Sequence, residues 1–422
     1  MSSDLHPTRY YRLPWTLNDN VLAWLEPTKR CNLSCEGCYS RNEANADKTL
    51  EQIRSDLDVF VKNRRVDSVS IAGGDPLVHP EIVEIVRIIA HDYGLKPIVN
   101  TNGLALTADL LGQLQRAGCR GFTFHVDSSQ NRPGWAGKTE EELNELREHL
   151  ARLVAAEGGM TVHFNSTVFP HTLPSAPKLW NWALQHPDIV HGMVLILFRT
   201  TRPKEFDYRA WGRPIDPGDL VYYDQEKNPE PLTAHQVVAE LRRSDPDFEP
   251  AAYLGGTHDP TTFKWLLATR VVSPGRQYGY LGSRAMELTQ VVHHFLHGTY
   301  FAYSDPAMLR VGRSAMLSFA PFDTEARKTI RRYTTEMLRR PSALTDPVYL
   351  QSMAIIQPID MLDDGRMNMC DGCPDITAHK GELVWSCRLE ERYRFGCFLT
   401  ASPRQRAATE SAEPVESTEA AE

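Results

Sequence analysis

The stretch from Glu26 to Ser40, EPTKRCNLSCEGCYS, decides how this chain is read. Cys31, Cys35 and Cys38 stand at C-x3-C-x2-C, close enough for one loop to wrap three thiolates around a single inorganic group. Thiolates are the usual ligands of iron–sulfur clusters. A [4Fe-4S] cubane held by three local cysteines keeps one iron open, as a catalytic metal site keeps a position for its reactant. A zinc ion with a distant fourth ligand would use the same thiols.

Working outward, the cysteines directly follow a β-rich run, Val21 to Leu25, the first of six. The others are Ser68 to Ala72, Pro97 to Thr101, Gly121 to Val126, Thr161 to Val168 and Gly192 to Phe198. Helical stripes lie between them. Leu50, Ile53, Leu57 and Phe60 share one face, as do Ile82, Ile85, Ile89 and Tyr93, with Gly94 as a stop. Leu110 and Leu114, then Leu143 to Leu153, then Leu179 to Leu184 continue the alternation. Consecutive βα units predict a parallel sheet, and six of them a partial (β/α)6 barrel with functional residues at the carboxyl ends of the strands. After the second strand comes Gly73-Gly74-Asp75-Pro76, where two glycines let the backbone approach a ligand closely with carbonyls exposed.

The segment CNLSCEGCY, on its barrel of six β/α repeats, resembles the radical S-adenosylmethionine (SAM) superfamily. The resemblance implies that Cys31, Cys35 and Cys38 ligate a [4Fe-4S] cluster whose fourth iron is chelated by SAM. It further implies reductive cleavage of SAM to methionine and a 5′-deoxyadenosyl radical, driven by an external one-electron donor such as flavodoxin or ferredoxin. Gly73, Gly74, Asp75 and Pro76 resemble the family's GGEP turn, which receives the SAM amino group, with Asp75 in place of the common Glu. Asn102, in Thr101-Asn102-Gly103, resembles the TNG segment of relatives. Asp127, beside His125 at the end of strand four, stands where the family often places a ribose contact, and Asn165 in strand five joins the cofactor-binding candidates. The family often has an aromatic residue before the third cysteine, near the adenine, whereas this chain has Gly37 there and Tyr39 one step beyond Cys38.

A second set, Cys370, Cys373, Cys387 and Cys397, has the form C-x2-C-x13-C-x9-C. Four thiolates close the shell of a zinc ion as well as that of a cluster, so spacing leaves both open. Beside a radical SAM barrel it resembles an auxiliary [4Fe-4S] extension. Cys119 stands alone before strand four, where it could face the barrel or pack as a small hydrophobe.

The 422 residues therefore divide into an N-terminal extension (1–19), the barrel (20–200), a mainly helical capping or substrate region (201–365), a Cys-rich metal segment (366–400) and an acidic tail (401–422) read as disordered. In the capping region helices are predicted around Ala234 to Arg243, Thr261 to Val271, Arg284 to His297 and Thr324 to Arg339. Hydrophobic residues make up 41% and charged residues 24%, an ordinary globular composition. The formal net charge of −8 offers no concentrated basic surface for nucleic acid. No apolar run reaches a membrane span or a signal-peptide core, so the chain is read as cytoplasmic, a compartment in which clustered thiols bind metals. The expected function is a radical SAM enzyme acting on a small metabolite or a lipid-like precursor, the latter suggested by the apolar helix around Val291 to Phe295. A peptide-modifying maturase and a zinc-binding scaffold are the alternatives.

Overall fold

The computed structural model describes residues 5–199, 205–220, 231–303 and 305–404. Six strands, β1 (Leu22–Thr28), β2 (Ser68–Gly73), β3 (Lys96–Thr101), β4 (Gly121–His125), β5 (Thr161–Val168) and β6 (Gly192–Leu197), lie side by side in chain order and all parallel. Between them run α1 (Leu50–Asn63), α2 (Ile82–Arg87), α3 (Ala108–Arg116), α4 (Asn144–Glu157) and α5 (Ala176–Gln185). The expected α/β partial barrel is the fold. Thr49 and Gln52 form a reciprocal capping box that starts α1, and the stripe Ile53, Leu57 and Phe60 is fully buried. Past Arg87, α2 continues as a π-helical turn, Ile88–Asp92, which ends before Gly94 at φ +66°.

Strand alternation sorts the barrel into two layers. Val69, Ile71, Val99, Phe122, Phe124, Phe164, Met193 and Leu195 join the helix-side core. Their neighbours belong to the opposite, inner face, which mixes polar residues (Ser70, Asn100, Thr123, His125, His163 and Asn165) with apolar ones (Trp24, Ile98, Val194 and Ile196). Cys119 packs in the helix-side core, not in the barrel.

The region after residue 200 departs from the expectation of a helical cap in two ways. First, it adds strands. Tyr349–Ile356 pairs parallel to β6, and Trp265–Ser273 pairs antiparallel to it, followed by Ala252–Leu254 and the short strand Tyr11–Arg12. The segment predicted as a helix at 261–271 is thus largely strand. Its Arg270, which suggests a solvated helix face, is instead fully buried, with its guanidinium 3.3 Å from the Trp180 ring centroid and bonded to Gln351. Second, the helix Ser283–His297 does not cover the cysteine end. It packs at the amino end of β1, where His294 Nε2 meets Asp19 Oδ2 at 2.9 Å and Tyr303 stacks edge-on to His163. Its apolar residues Val291 and Phe295 are exposed, Phe295 to 85%, and line no site.

The C-terminal segment provides the closure. The hairpin Ile376–His379 and Glu382–Trp385 packs on β1 and α1 at one edge of the sheet. There Asn20 Nδ2 and Arg64 Nη2 donate to the carbonyls of Gly372 and Cys373. Toward the other edge, Thr257 N donates to Met369 O at 2.8 Å, and Gly256 pairs with Cys370. Residues 401–403, assigned in sequence to the tail, belong to a strand, Thr400–Pro403, antiparallel to Phe206–Ala210. The rest of the tail from 405, and the aromatic pair Tyr222 and Tyr223, lie outside the described residues.

Within this segment, Arg388 ties the helix Leu389–Phe395 to Leu399. It donates to both Glu391 carboxylate oxygens and to Leu399 O, and Leu399 N returns a bond to Glu391. Replacing Glu391 by Ala would leave a buried guanidinium without its carboxylate, an expected loss of about 3–5 kcal/mol in chemical denaturation. A loss below about 1 kcal/mol would show that the ion pair does not hold the segment.

Candidate functional site

Cys31, Cys35 and Cys38 lie on the loop leaving the carboxyl end of β1, all partly buried. What seats the loop is its contact with the end of β2. Gly74 N donates to Thr28 O at 2.8 Å and Asp75 N to Arg30 O at 2.7 Å. A Cβ on Gly73 would lie 2.3 Å from Thr28 O, and one on Gly74 2.0 Å from Arg30 O. Gly73 also has φ +102°. The close backbone approach expected at these glycines is therefore to the cysteine loop itself, a role that an isolated turn motif does not reveal.

The other sequence candidates gather at the same end. Asp75, 1% exposed, accepts from Thr101 Oγ1 at 2.7 Å, Asn102 N at 2.8 Å and Leu77 N at 2.9 Å, tying β2 to β3. Burial raises its pKa against these bonds. Pro76 follows it in a buried turn. Asn102 Nδ2 lies 3.7 Å from Cys31 Sγ and donates to Asn32 Oδ1 at 2.7 Å. Asp127 is fully engaged: His125 Nε2, Ser129 N, Ser129 Oγ and Thr167 N all bond its carboxylate. The Asp127 carboxylate is thus paired with His125, whose side chain is 35% exposed. Asn165 is the Cα partner of His125 across the two strands, and its Oδ1 is buried without a partner. Tyr39 does not offer its hydroxyl to a ligand, since it bridges Trp24, Glu26 and Gly73.

Three residues escaped the sequence reading. Arg132 is buried beside Cys35, Asp127 and Asp75, bonds Gln130 and the His125 carbonyl, and has an unpartnered Nε. Nothing in its loop sequence signals this. Phe198 and Phe169 stack at 4.6 Å against Gly37, where a Cβ would meet Phe198 at 2.7 Å. The pairing of a small residue with an aromatic one from β6 is a tertiary fact.

Burial, and next the neighbouring Cys38, push the Cys35 thiol up to about 12. Burial also raises Cys31 and Cys38. Three thiolates at such a site need compensating cations, which is the service a cluster of ferric and ferrous ions performs.

Of the distal cysteines, Cys370 and Cys373 are buried with Ile376 beside Trp265, Leu383 and Trp385, and share a thiol hydrogen bond that lowers the first and raises the second. Burial pushes Cys387 up to about 12, opposed by Arg199, which also donates to the Cys387 carbonyl at 2.6 Å. Cys397 packs in a different cluster, with Phe206, Tyr208 and Leu399. Among the described residues no three His, Cys, Asp or Glu side chains are gathered tightly enough to share one metal ion. On Ser283–His297 the polar side chains are taken up locally and by the start of the chain, Gln290 bonding Phe301 O, His293 Thr299 O and His294 Asp19.

Residues 25–173 match the family described as the Radical SAM superfamily. Among curated relatives, molybdenum cofactor biosynthesis protein 1 of Bos taurus is 38% identical over 24% of this chain and 17% of its own length. The AdoMet-dependent heme synthase of Methanosarcina barkeri is 26% identical over 44% of this chain and 53% of its own. The 7,8-dihydro-6-hydroxymethylpterin dimethyltransferase of Methanocaldococcus jannaschii is 24% identical over 56% and 46%. The chain thus spans about half or less of the length of these relatives. The solved structure of methylornithine synthase aligns with a TM-score of 0.38 and 14% identity, over 55% of this chain and 64% of that one. Among the described residues no helix is long and apolar enough to cross a membrane. Over residues 25–173, then, this chain is similar to the Radical SAM superfamily.

Proposed function

We propose that this protein is a radical SAM enzyme that binds a [4Fe-4S] cluster through Cys31, Cys35 and Cys38 and acts on a small polar metabolite. The observation that carries this reading is the set of three partly buried cysteines on one loop, seated on Gly73 and Gly74, with Asn102 at Cys31. When bound, cluster and SAM supply a 5′-deoxyadenosyl radical able to take a hydrogen atom from a C–H bond. An external one-electron donor, flavodoxin or ferredoxin, supplies the electron.

The chain's own part is to orient and enclose. The turn Gly73 to Pro76 receives the SAM amino group through its backbone, since the Asp75 carboxylate is occupied in holding Thr101 and Asn102. Asp127 acts through His125, whose ring it fixes. The C-terminal segment, not the helical region, covers this end and excludes water. The inner wall near the cysteine end, with Asn100, His125 and Asn165, favours a hydrogen-bonding substrate, because an alkyl chain there would leave polar atoms unpaired. The names of relatives, a heme synthase and a pterin dimethyltransferase, agree with small molecules as substrates. The exposed position of Val291 and Phe295 removes the argument for a lipid-like one. Cys370, Cys373 and Cys387, with Cys397 drawn in or replaced by another ligand, are assigned to an auxiliary cluster.

Changing Cys31, Cys35 and Cys38 together to Ala is expected to abolish conversion of SAM to 5′-deoxyadenosine by anaerobically reconstituted protein. Full cleavage in that variant would sink the assignment. Gly74→Ala is expected to reduce iron content and SAM binding together, because its Cβ collides with the carbonyl before Cys31. Loss of SAM affinity with full iron would return this glycine to a direct ligand role. Two cubanes require about eight irons per chain, whereas a cubane plus zinc requires about four. Replacing Cys370 and Cys373 by Ala should lower iron toward half while SAM cleavage persists. Wild-type protein with about four irons and one tightly bound zinc would make the C-terminal segment a structural clasp.

A further inference from the structure

Between the end of β1 and the C-terminal helix Leu389–Phe395 lies a half-open cavity of about 540 Å³, which no step of SAM cleavage uses. Its size is that of an ordinary small-molecule site. Its walls come from both sides of the seam: Glu26, Lys29, Arg41, Glu43 and Lys48 from the barrel edge, Tyr393 and Arg394 from the helix.

Four cations face this space against two carboxyl groups. Lys48 is held by Asp56 at 2.6 Å, and Arg41 meets Glu390 at 3.3 Å. Lys29 is less satisfied. Its ion pair with Glu43 is long, 3.5 Å, and its ammonium sits 3.4 Å from the Tyr393 ring centroid, a cation–π contact that holds it over the cavity. Among the described residues Arg394 forms no ion pair and is exposed. Glu26 is the carboxyl least able to balance these charges: it is 4% exposed, and burial favours its neutral form. Its Oε1 accepts from Trp24 Nε1 and Tyr39 Oη, while no hydrogen bond reaches Oε2 among the described residues.

We propose that this cavity binds a small anionic molecule, a phosphate or carboxylate compound, whose charged end meets Lys29 and Arg394. A donor group at its other end would bond Glu26. Charge-assisted bonds from a partly enclosed lysine and arginine are the strong class of such contacts. Because Lys29 and Arg394 stand on opposite sides of the seam, an occupant fastens the C-terminal segment to the loop that carries the cysteines.

The test needs no SAM turnover, so it stands or falls apart from the enzymatic reading. Full-length protein is titrated calorimetrically with pyrophosphate and, separately, with citrate at constant ionic strength. Saturable binding of at least one probe is expected, weakened about tenfold or more in Lys29→Gln and in Arg394→Gln. Lys62→Gln, an exposed lysine on α1 outside the cavity, should bind as wild type does. Pyrophosphate alone identifies a phosphate ligand, citrate alone a carboxylate. The proposal is overturned if neither probe saturates below about 10 mM, or if both cavity variants bind within about twofold of wild type.

Discussion

The contact on which the site depends is backbone against backbone: the turn at Gly73 and Gly74 lies against the carbonyls of Thr28 and Arg30. No side chain fits between them. Two adjacent parallel strands, β1 and β2, therefore end in loops pressed together. The first loop carries three cysteines, and the second carries Asp75, which in turn holds the end of β3. One close approach thus orders the ends of three strands, and Asn102 extends the order back to the Cys31 sulfur. The bonds Asp75 accepts offset part of the cost of burying it, and the carboxyl works as a tie inside the protein.

The barrel was legible because its two periodicities are strong and local. All six strands fall within a few residues of their sequence assignment, and Ile53, Leu57 and Phe60 are buried as their spacing requires. The sequence reading failed where tertiary contacts outweigh local pattern. Trp265–Ser273 contains an arginine whose burial depends on Trp180 and Gln351, each more than eighty positions away along the chain. Helix Ser283–His297 was recognised but misplaced, since periodicity gives an apolar face and not the end of the barrel it meets. In the site, the cysteines and glycines announced themselves. Arg132 and Phe198 could not, because a buried cation in a loop and an aromatic at a strand end acquire meaning only through their neighbours. Asp127 and His125, adjacent in the sequence reading, are bonded to each other in the structure.

The two cysteine groups have different surroundings, and the difference is physical. The first rides on a loop set by strand ends and faces the interior. Of the second, Cys370 and Cys373 are packed among tryptophans in a segment that spans the sheet, while Cys397 sits in an apolar cluster apart from them. A group bound there would belong to the closure of the barrel as much as to its chemistry. Arg64, buried and bonded to the Cys373 carbonyl, links that segment to the end of α1.

The closure also has a consequence for biosynthesis. The bonds between Asn20 and Gly372, and between Arg64 and Cys373, join residues 352 and 309 positions apart. They form only after residues 372 and 373 have left the ribosome, by which time the six strands and their helices have had the opportunity to assemble from local contacts. Until then the hairpin Ile376–His379 and Glu382–Trp385 is not yet packed on β1 and α1. The cysteine end is thus open to solvent for an interval that closes when residues 370–399 dock.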